Sequence, residues 1–197
     1  MLDTKARRHL QPLFEQLAAT LTKLGLGAIG ATLVALGLGI AAALAVWGGF
    51  YLGGVALLWF SGLFDVLDGT IARLTKSSSA IGTVMDIVFD RLVEILVLLA
   101  LTIAYPSLGV GTALVFASII LSMTVFLTVG AVAEKTGNKS FYYQPGLVER
   151  TEGFIMISLA VLLAEWRALV LVVFAALIFF TALQRFAEAV RLLRTKN

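Results

Sequence analysis

Two long stretches without a single charged side chain, residues 24–64 and 95–133, dominate the pattern of polar and apolar positions along the chain. Each is about twice the roughly 20 residues that one membrane-spanning helix needs. Each therefore predicts a helical hairpin rather than one helix. Trp47-Gly48-Gly49 interrupts the first run near its middle and Tyr105-Pro106-Ser107 interrupts the second. Their aromatic rings favour the headgroup region, so both turns are expected on the same side of the bilayer. A third hairpin, residues 146–193, breaks at Glu165-Trp166-Arg167. The spans are thus expected at 25–46, 50–73, 81–104, 108–133, 147–164 and 168–193. Ahead of them, Leu10, Leu13, Phe14, Leu17 and Leu21 recur at helical spacing opposite Arg7, Gln11, Glu15 and Gln16. That pattern predicts an amphipathic helix over residues 3–23, lying in the membrane interface. The expected fold is all-α and integral to the membrane: six transmembrane helices plus an N-terminal interfacial helix, with residues 1–197 forming one domain.

Composition agrees with the pattern. The chain is 60% hydrophobic and 14% charged, against about 25% charged for soluble domains. With six spans, every Lys and Arg except Arg167 falls on or toward one side, which the positive-inside rule makes cytoplasmic. Both termini and the connections after the second and fourth spans are then cytosolic, in a multi-pass protein of the cell membrane. The net charge of +3 is spread along one membrane face, which suits anionic headgroups and argues against nucleic acid as a partner. No cysteine is present, so disulfides and thiolate metal sites are excluded. The N-terminus lacks the short apolar core and small-residue cleavage site of a secretory signal. His9 reads as a solvated or headgroup-facing side chain. Gly25, Gly27, Gly30, Gly37 and Gly39 read as close helix packing. The polar insertion at 134–152 is expected to roof the cytosolic site.

Against this apolar background stand Asp65, Asp68, Asp86 and Asp90. An ionised carboxylate at bilayer depth costs roughly 2.5 to 3.5 kcal/mol on the insertion scale. Four of them need a cationic counterpart. Asp65 and Asp68 are three apart on the second span, Asp86 and Asp90 four apart on the third, so each pair shares a helix face. Antiparallel packing of the two spans brings the pairs together, and such a cluster must bind cations or protonate. All ligands are hard oxygens, which favours magnesium or manganese over zinc or copper. Gly69 and Gly82 leave the backbone open to a bulky polar ligand such as a nucleotide, Ala72 keeps the same surface open, and Arg73 offers a fork suited to phosphate oxygens. Metals and an arginine beside a lipid-accessible cleft point to phosphoryl transfer on a membrane substrate. A cation-coupled transporter is the alternative, since intramembrane carboxylates also mark ion paths. The cluster occurs once, however, with none of the internal repetition of inverted-repeat transporters.

The full run, Asp65-x-x-Asp68-Gly69-x-x-Ala72-Arg73, eight residues, Gly82-x-x-x-Asp86-x-x-x-Asp90, resembles the complete signature of the CDP-alcohol phosphotransferase family. The resemblance implies transfer of a phosphatidyl group from CDP-diacylglycerol, or an archaeal ether analogue, to a small polar alcohol, with release of CMP. It implies a magnesium-dependent enzyme with two ions bridging the donor pyrophosphate, manganese being able to replace magnesium. Asp65, Asp68 and Asp86 would be principal metal ligands, and Asp90 would complete the site and act as general base. Asp68, Gly69, Ala72, Arg73 and Gly82 would line the CDP pocket. Family analogy also implies a homodimer. A variant within the family pairs CDP-choline or CDP-ethanolamine with diacylglycerol, although such relatives commonly carry additional spans.

For the acceptor, the chain is similar to relatives that use inositol phosphate in Glu149-Arg150 and in Arg185 near the cytosolic end of the last span. A phosphorylated acceptor, inositol phosphate or glycerol phosphate, needs cations beyond Arg73. Arg150 and Arg185 are therefore expected to clamp its phosphate. The Arg-Ala-Arg-Ala-Glu-like stretch of such relatives reads Gly130-Ala131-Val132-Ala133-Glu134 here, so Lys135 or Lys139 is expected to stand in. Their Thr-Pro-Asn turn reads Gly27-Ala28-Ile29-Gly30.

Overall fold

In hydrocarbon no water satisfies backbone N–H and C=O groups, so each apolar run must form helix. The computed structural model describes residues 2–132 and 146–194, with the side chains of residues 10–132 and 146–191. Glu134, Lys135 and Lys139 lie outside the described residues, and the side chains of Arg7 and His9 outside the described side chains. The described chain contains seven α-helices: α1 (Leu2–Lys23), α2 (Ala28–Trp47), α3 (Tyr51–Leu74), α4 (Ala80–Ala104), α5 (Gly109–Val132), α6 (Arg150–Leu162) and α7 (Arg167–Arg194). No strand occurs among the described residues. Each of the seven expected helical segments coincides with one of these helices to within three residues.

The stretches Ala28–Trp47, Tyr51–Leu74, Pro106–Val132 and Ala164–Arg191 are long and apolar enough to cross a membrane, which makes this a multi-pass membrane protein. α4 and α6 do not meet that test, for different reasons. α4 has 25 residues, but Asp86, Asp90, Arg91 and Glu94 crowd its first fifteen. α6 has only 13, about 20 Å of helix against a hydrocarbon core of about 30 Å.

The chain divides into two compact units. In the first, residues 4–106, α2 packs against both α3 and α4. A Cβ on Gly39 would lie 2.2 Å from Val93 Cγ2, and one on Gly54 would lie 2.6 Å from Val46 Cγ2; both glycines are backbone-to-helix contacts that any side chain would push apart. Of the five glycines around α2 read as packing residues, only Gly39 meets another helix. Gly25 instead takes φ +87° in a Schellman turn, with Leu26 N donating to Leu21 O, a conformation that favours glycine. The hydroxyl of buried Ser61 donates to Ala35 O at 2.7 Å, tying α3 to α2. Tyr51 and Tyr105 share a hydroxyl–hydroxyl hydrogen bond, so the α2–α3 and α4–α5 turns do lie at the same end of the unit. The apolar stripe of α1 splits in two: Phe14, Ala18 and Leu21 pack on Ala31, Leu67 and Ile71, whereas Leu10, Leu13 and Leu17 remain exposed.

In the second unit, residues 107–197 with the first three, α7 packs against α5 and α6. Gly111 permits this approach, since its Cβ would stand 3.1 Å from Leu171 Cβ. Arg167, expected as the lone cation on the far side, is buried and donates to Val161 O near the end of α6.

Candidate active site

The spacing of the aspartates works as local geometry dictates, because residues three or four apart share a helix face. α3 presents Asp65 and Asp68, α4 presents Asp86, and one carboxylate oxygen from each lies within 4.8 Å of the other two. Asp90 follows Asp86 by one turn and is not one of this group of three; it is half-buried, and its electrostatic neighbours include Arg91, Asp86, Glu94 and Asp68. Glu94 is buried and receives Arg91 Nη1 at 2.6 Å, one i,i+3 pair along α4. A pairing of Glu94 with Arg91, outside the catalytic set, is what its place one turn beyond Asp90 suggests from sequence, and the structure forms it.

Beside the three carboxylates opens a cleft of about 180 Å³ lined by Ala28, Ile29, Thr32, Asp68, Gly69, Ala72, Arg73, Ser77, Ser78, Ser79, Gly82, Thr83 and Asp86. All five residues that the family resemblance assigned to a CDP pocket, Asp68, Gly69, Ala72, Arg73 and Gly82, line this one cleft. The glycines leave room there. A Cβ on Gly69 would meet only Arg73 Nη1, at 3.5 Å, and one on Gly82 only Ser79 Oγ, at 3.2 Å. Arg73 is exposed and donates through Nη2 to Thr70 Oγ1 at 2.9 Å, which holds its guanidinium at the rim.

Thr32, Ser77, Ser78, Ser79 and Thr83 belong to the cleft and were not anticipated. The three consecutive serines directly after the first half of the motif were a legible polar signal. α3 ends in a second Schellman turn, in which Lys76 takes φ 54° and Ser77 N donates to Ala72 O at 3.0 Å. A non-glycine in that conformation is uncommon, and it turns the serine run across the mouth of the cleft. Ser79 then caps α4 by accepting from Gly82 N at 3.1 Å, as a serine N-cap does. The first turn of α2, without any side-chain cap, opens on the same cleft through Ala28 and Ile29. Two helix N-termini, each with a partial positive charge, therefore border a site rich in carboxylates. Thr32 crosses from α2 to α3: its hydroxyl donates to Asp68 Oδ2 at 2.6 Å.

The residues expected to bind the acceptor lie in the second unit. Arg185 is buried, donates through Nη1 to Ser122 at 3.2 Å and sits 5.1 Å from the centroid of the Phe126 ring. Gly146 leaves it space, since a Cβ there would stand 2.4 Å from Thr181 Cγ2 and 3.1 Å from Arg185 Nη2. Arg150 opens α6 and lies 5.3 Å from the Phe154 ring centroid. Its neighbour Glu149 has a structural task that the sequence reading missed: it forms a capping box with Glu152, whose carboxylate receives Glu149 N at 3.2 Å. The Glu-x-x-Glu spacing was the available signal. Lys135 falls outside the described residues.

Comparison with known proteins agrees with this geometry. The sequence profile of the CDP-alcohol phosphatidyltransferase family matches residues 16–184. Inner membrane protein YnjF of Escherichia coli is 33% identical over 194 residues, 94% of this chain and 93% of its own. The archaetidylinositol phosphate synthase of Methanothermobacter thermautotrophicus is 34% identical over 137 residues, 67% of each chain. Among solved structures, phosphatidylinositol phosphate synthase of Mycobacterium tuberculosis with CDP-DAG bound has a TM-score of 0.75 at 21% identity, with 90% of this chain and 94% of that one covered; this likeness speaks for the fold.

Proposed function

The chain belongs to the CDP-alcohol phosphatidyltransferase family, and from that premise we propose that it transfers a phosphatidyl group from CDP-diacylglycerol to a small polar alcohol that carries a phosphate, such as inositol phosphate. One observation carries the reading. The oxygens of Asp65, Asp68 and Asp86 converge within 4.8 Å on a cleft that Gly69, Ala72, Arg73 and Gly82 keep open and positively rimmed.

Three converging carboxylates with no sulfur or imidazole ligand suit hard divalent cations, magnesium or manganese. Asp65, Asp68 and Asp86 would hold such ions, with Asp90 completing a two-ion site. When bound, the ions would neutralise the charge of the donor pyrophosphate. Support comes from the relatives: one structure of the Mycobacterium tuberculosis synthase is a complex with manganese and citrate, and another holds CDP-DAG.

The chain's own residues do the rest. Gly69, Ala72 and Gly82 let the cytidine nucleotide lie against backbone, and Arg73 meets a phosphate oxygen. Asp90 takes the proton of the acceptor hydroxyl as that oxygen bonds to the phosphorus distal to cytidine. The bond from that phosphorus to the bridging oxygen breaks, and CMP leaves with both electrons. Arg150 and Arg185, with Lys135, would hold the acceptor phosphate. An arginine on an apolar membrane helix is costly and so marks a functional site by default, and Arg185 is buried there with Ser122 and Phe126 fixing its orientation.

In this reading α2 to α7 supply six spans, and α1 lies in the cytoplasmic interface with Leu10, Leu13 and Leu17 in lipid. The active site and both termini face the cytoplasm at the cell membrane, and the enzyme works as a homodimer. Residues 1–197 act as one functional domain, in keeping with a family match that runs across both compact units. The test is CMP release by purified protein from CDP-diacylglycerol, across inositol phosphate, glycerol phosphate and unphosphorylated alcohols, with magnesium and with chelator. Magnesium-dependent release with a phosphorylated acceptor is expected. Release of no CMP from any CDP-linked donor would overturn the proposal.

A further inference from the structure

We propose that Thr32 is a positioning residue for the metal-binding carboxylate of Asp68, a role supplied from α2, outside the aspartate-bearing helices. The two residues are 36 apart in sequence, yet the hydroxyl meets Asp68 Oδ2 at 2.6 Å, and Thr32 and Asp68 are only 5% and 6% exposed. The inference rests on the metal site proposed above.

A threonine hydroxyl has one hydrogen to give. Thr32 has two acceptors in reach, the Ala28 carbonyl at 3.1 Å and Asp68 Oδ2 at 2.6 Å. Hydrogen bonds to an ionised acceptor are the shorter and stronger kind, so the hydrogen goes to the carboxylate. The terminal torsion of an aspartate is broad and roughly two-fold. The Thr32 hydrogen bond removes that freedom and holds the carboxylate in the orientation in which one of its oxygens lies within 4.8 Å of those of Asp65 and Asp86. Partners that orient metal ligands in this way are worth about 10- to 100-fold in metal affinity or activity.

The experiment compares wild type, Thr32→Val, Thr32→Ser and Asp68→Asn as purified full-length protein. Mn2+ affinity is read by electron paramagnetic resonance without substrate, and the Mn2+ concentration for half-maximal CMP release is read separately. Valine keeps the shape and removes the hydroxyl; serine keeps the hydroxyl. Thr32→Val is expected to weaken Mn2+ binding about 10- to 100-fold and to raise the half-maximal Mn2+ concentration in step, with turnover recovering at saturating Mn2+. Thr32→Ser is expected to stay within about threefold of wild type, and adding Thr32→Val to Asp68→Asn to change Mn2+ affinity little further. Unchanged Mn2+ affinity in Thr32→Val, or an equal loss in Thr32→Ser, would overturn the role. Failure of wild type to bind Mn2+ would instead remove the metal site itself, and the inference with it.

Discussion

Gly39→Ala is expected to cripple turnover from the middle of α2, through a contact with α4 one helical turn beyond Asp90. The added Cβ would lie 2.2 Å from Val93 Cγ2, 2.7 Å from Cγ1 and 3.0 Å from Cβ. Carbon pairs settle at about 3.5 to 4.0 Å, so the worst contact is short by more than about 1 Å. Val93 cannot turn away, because a β-branched side chain in a helix is stiff at χ1 and its Cβ is itself too close. α2 and α4 must therefore separate by about 1 Å. Val93 lies seven residues beyond Asp86, about 10 Å along α4, so the displacement reaches the helix that carries Asp86 and Asp90. Overpacking of this kind costs about 1 to 3 kcal/mol in stability, and a 1 Å misplacement of catalytic groups costs about 100-fold in rate. The assay is CMP release at saturating CDP-diacylglycerol, acceptor and magnesium, alongside a thermal melt. Val93→Ala removes both γ-carbons, so Gly39→Ala/Val93→Ala should recover turnover to within about tenfold of Val93→Ala alone. Full activity in Gly39→Ala, or a double variant no better than the single one, would refute the claim that this contact sets the spacing of the site.

Asp90→Asn should abolish CMP release while retaining much of the CDP binding, whereas Asp65→Asn should lose metal-dependent CDP binding as well; equal activity in both, measured beside isothermal titration with CDP and magnesium, would dismiss the assigned roles. Arg185→Lys keeps the charge but loses the planar fork that reaches Ser122 and stacks on Phe126. The loss of charge-assisted hydrogen bonds worth about 1.5 to 3 kcal/mol should raise KM for a phosphorylated acceptor by about 10- to 100-fold and leave KM for CDP-diacylglycerol unchanged, as steady-state kinetics would report.

The helices and the pairing of the aspartates on helix faces were legible in the amino-acid order because both are local properties. A charge-free run long enough for two spans, broken by Trp47-Gly48-Gly49 or Tyr105-Pro106-Ser107, has to fold as a helical hairpin wherever it sits. The three-residue step from Asp65 to Asp68 and the four-residue step from Asp86 to Asp90 put each pair on one helix face by the geometry of the turn alone. Even so, local signals went unread: Glu149 and Glu152 cap α6 at capping-box spacing, and Ser77-Ser78-Ser79 borders the cleft. What only the tertiary structure decided is how one helix meets another. Gly39 against Val93, Ser61 against the Ala35 carbonyl, Thr32 against Asp68, and the division of the α1 stripe between packed Phe14 and Leu21 and exposed Leu10, Leu13 and Leu17 all join residues far apart in the chain. Helical periodicity states which residues share a face, but it does not name the neighbour that face will meet, because that choice depends on side-chain shapes brought together from distant segments.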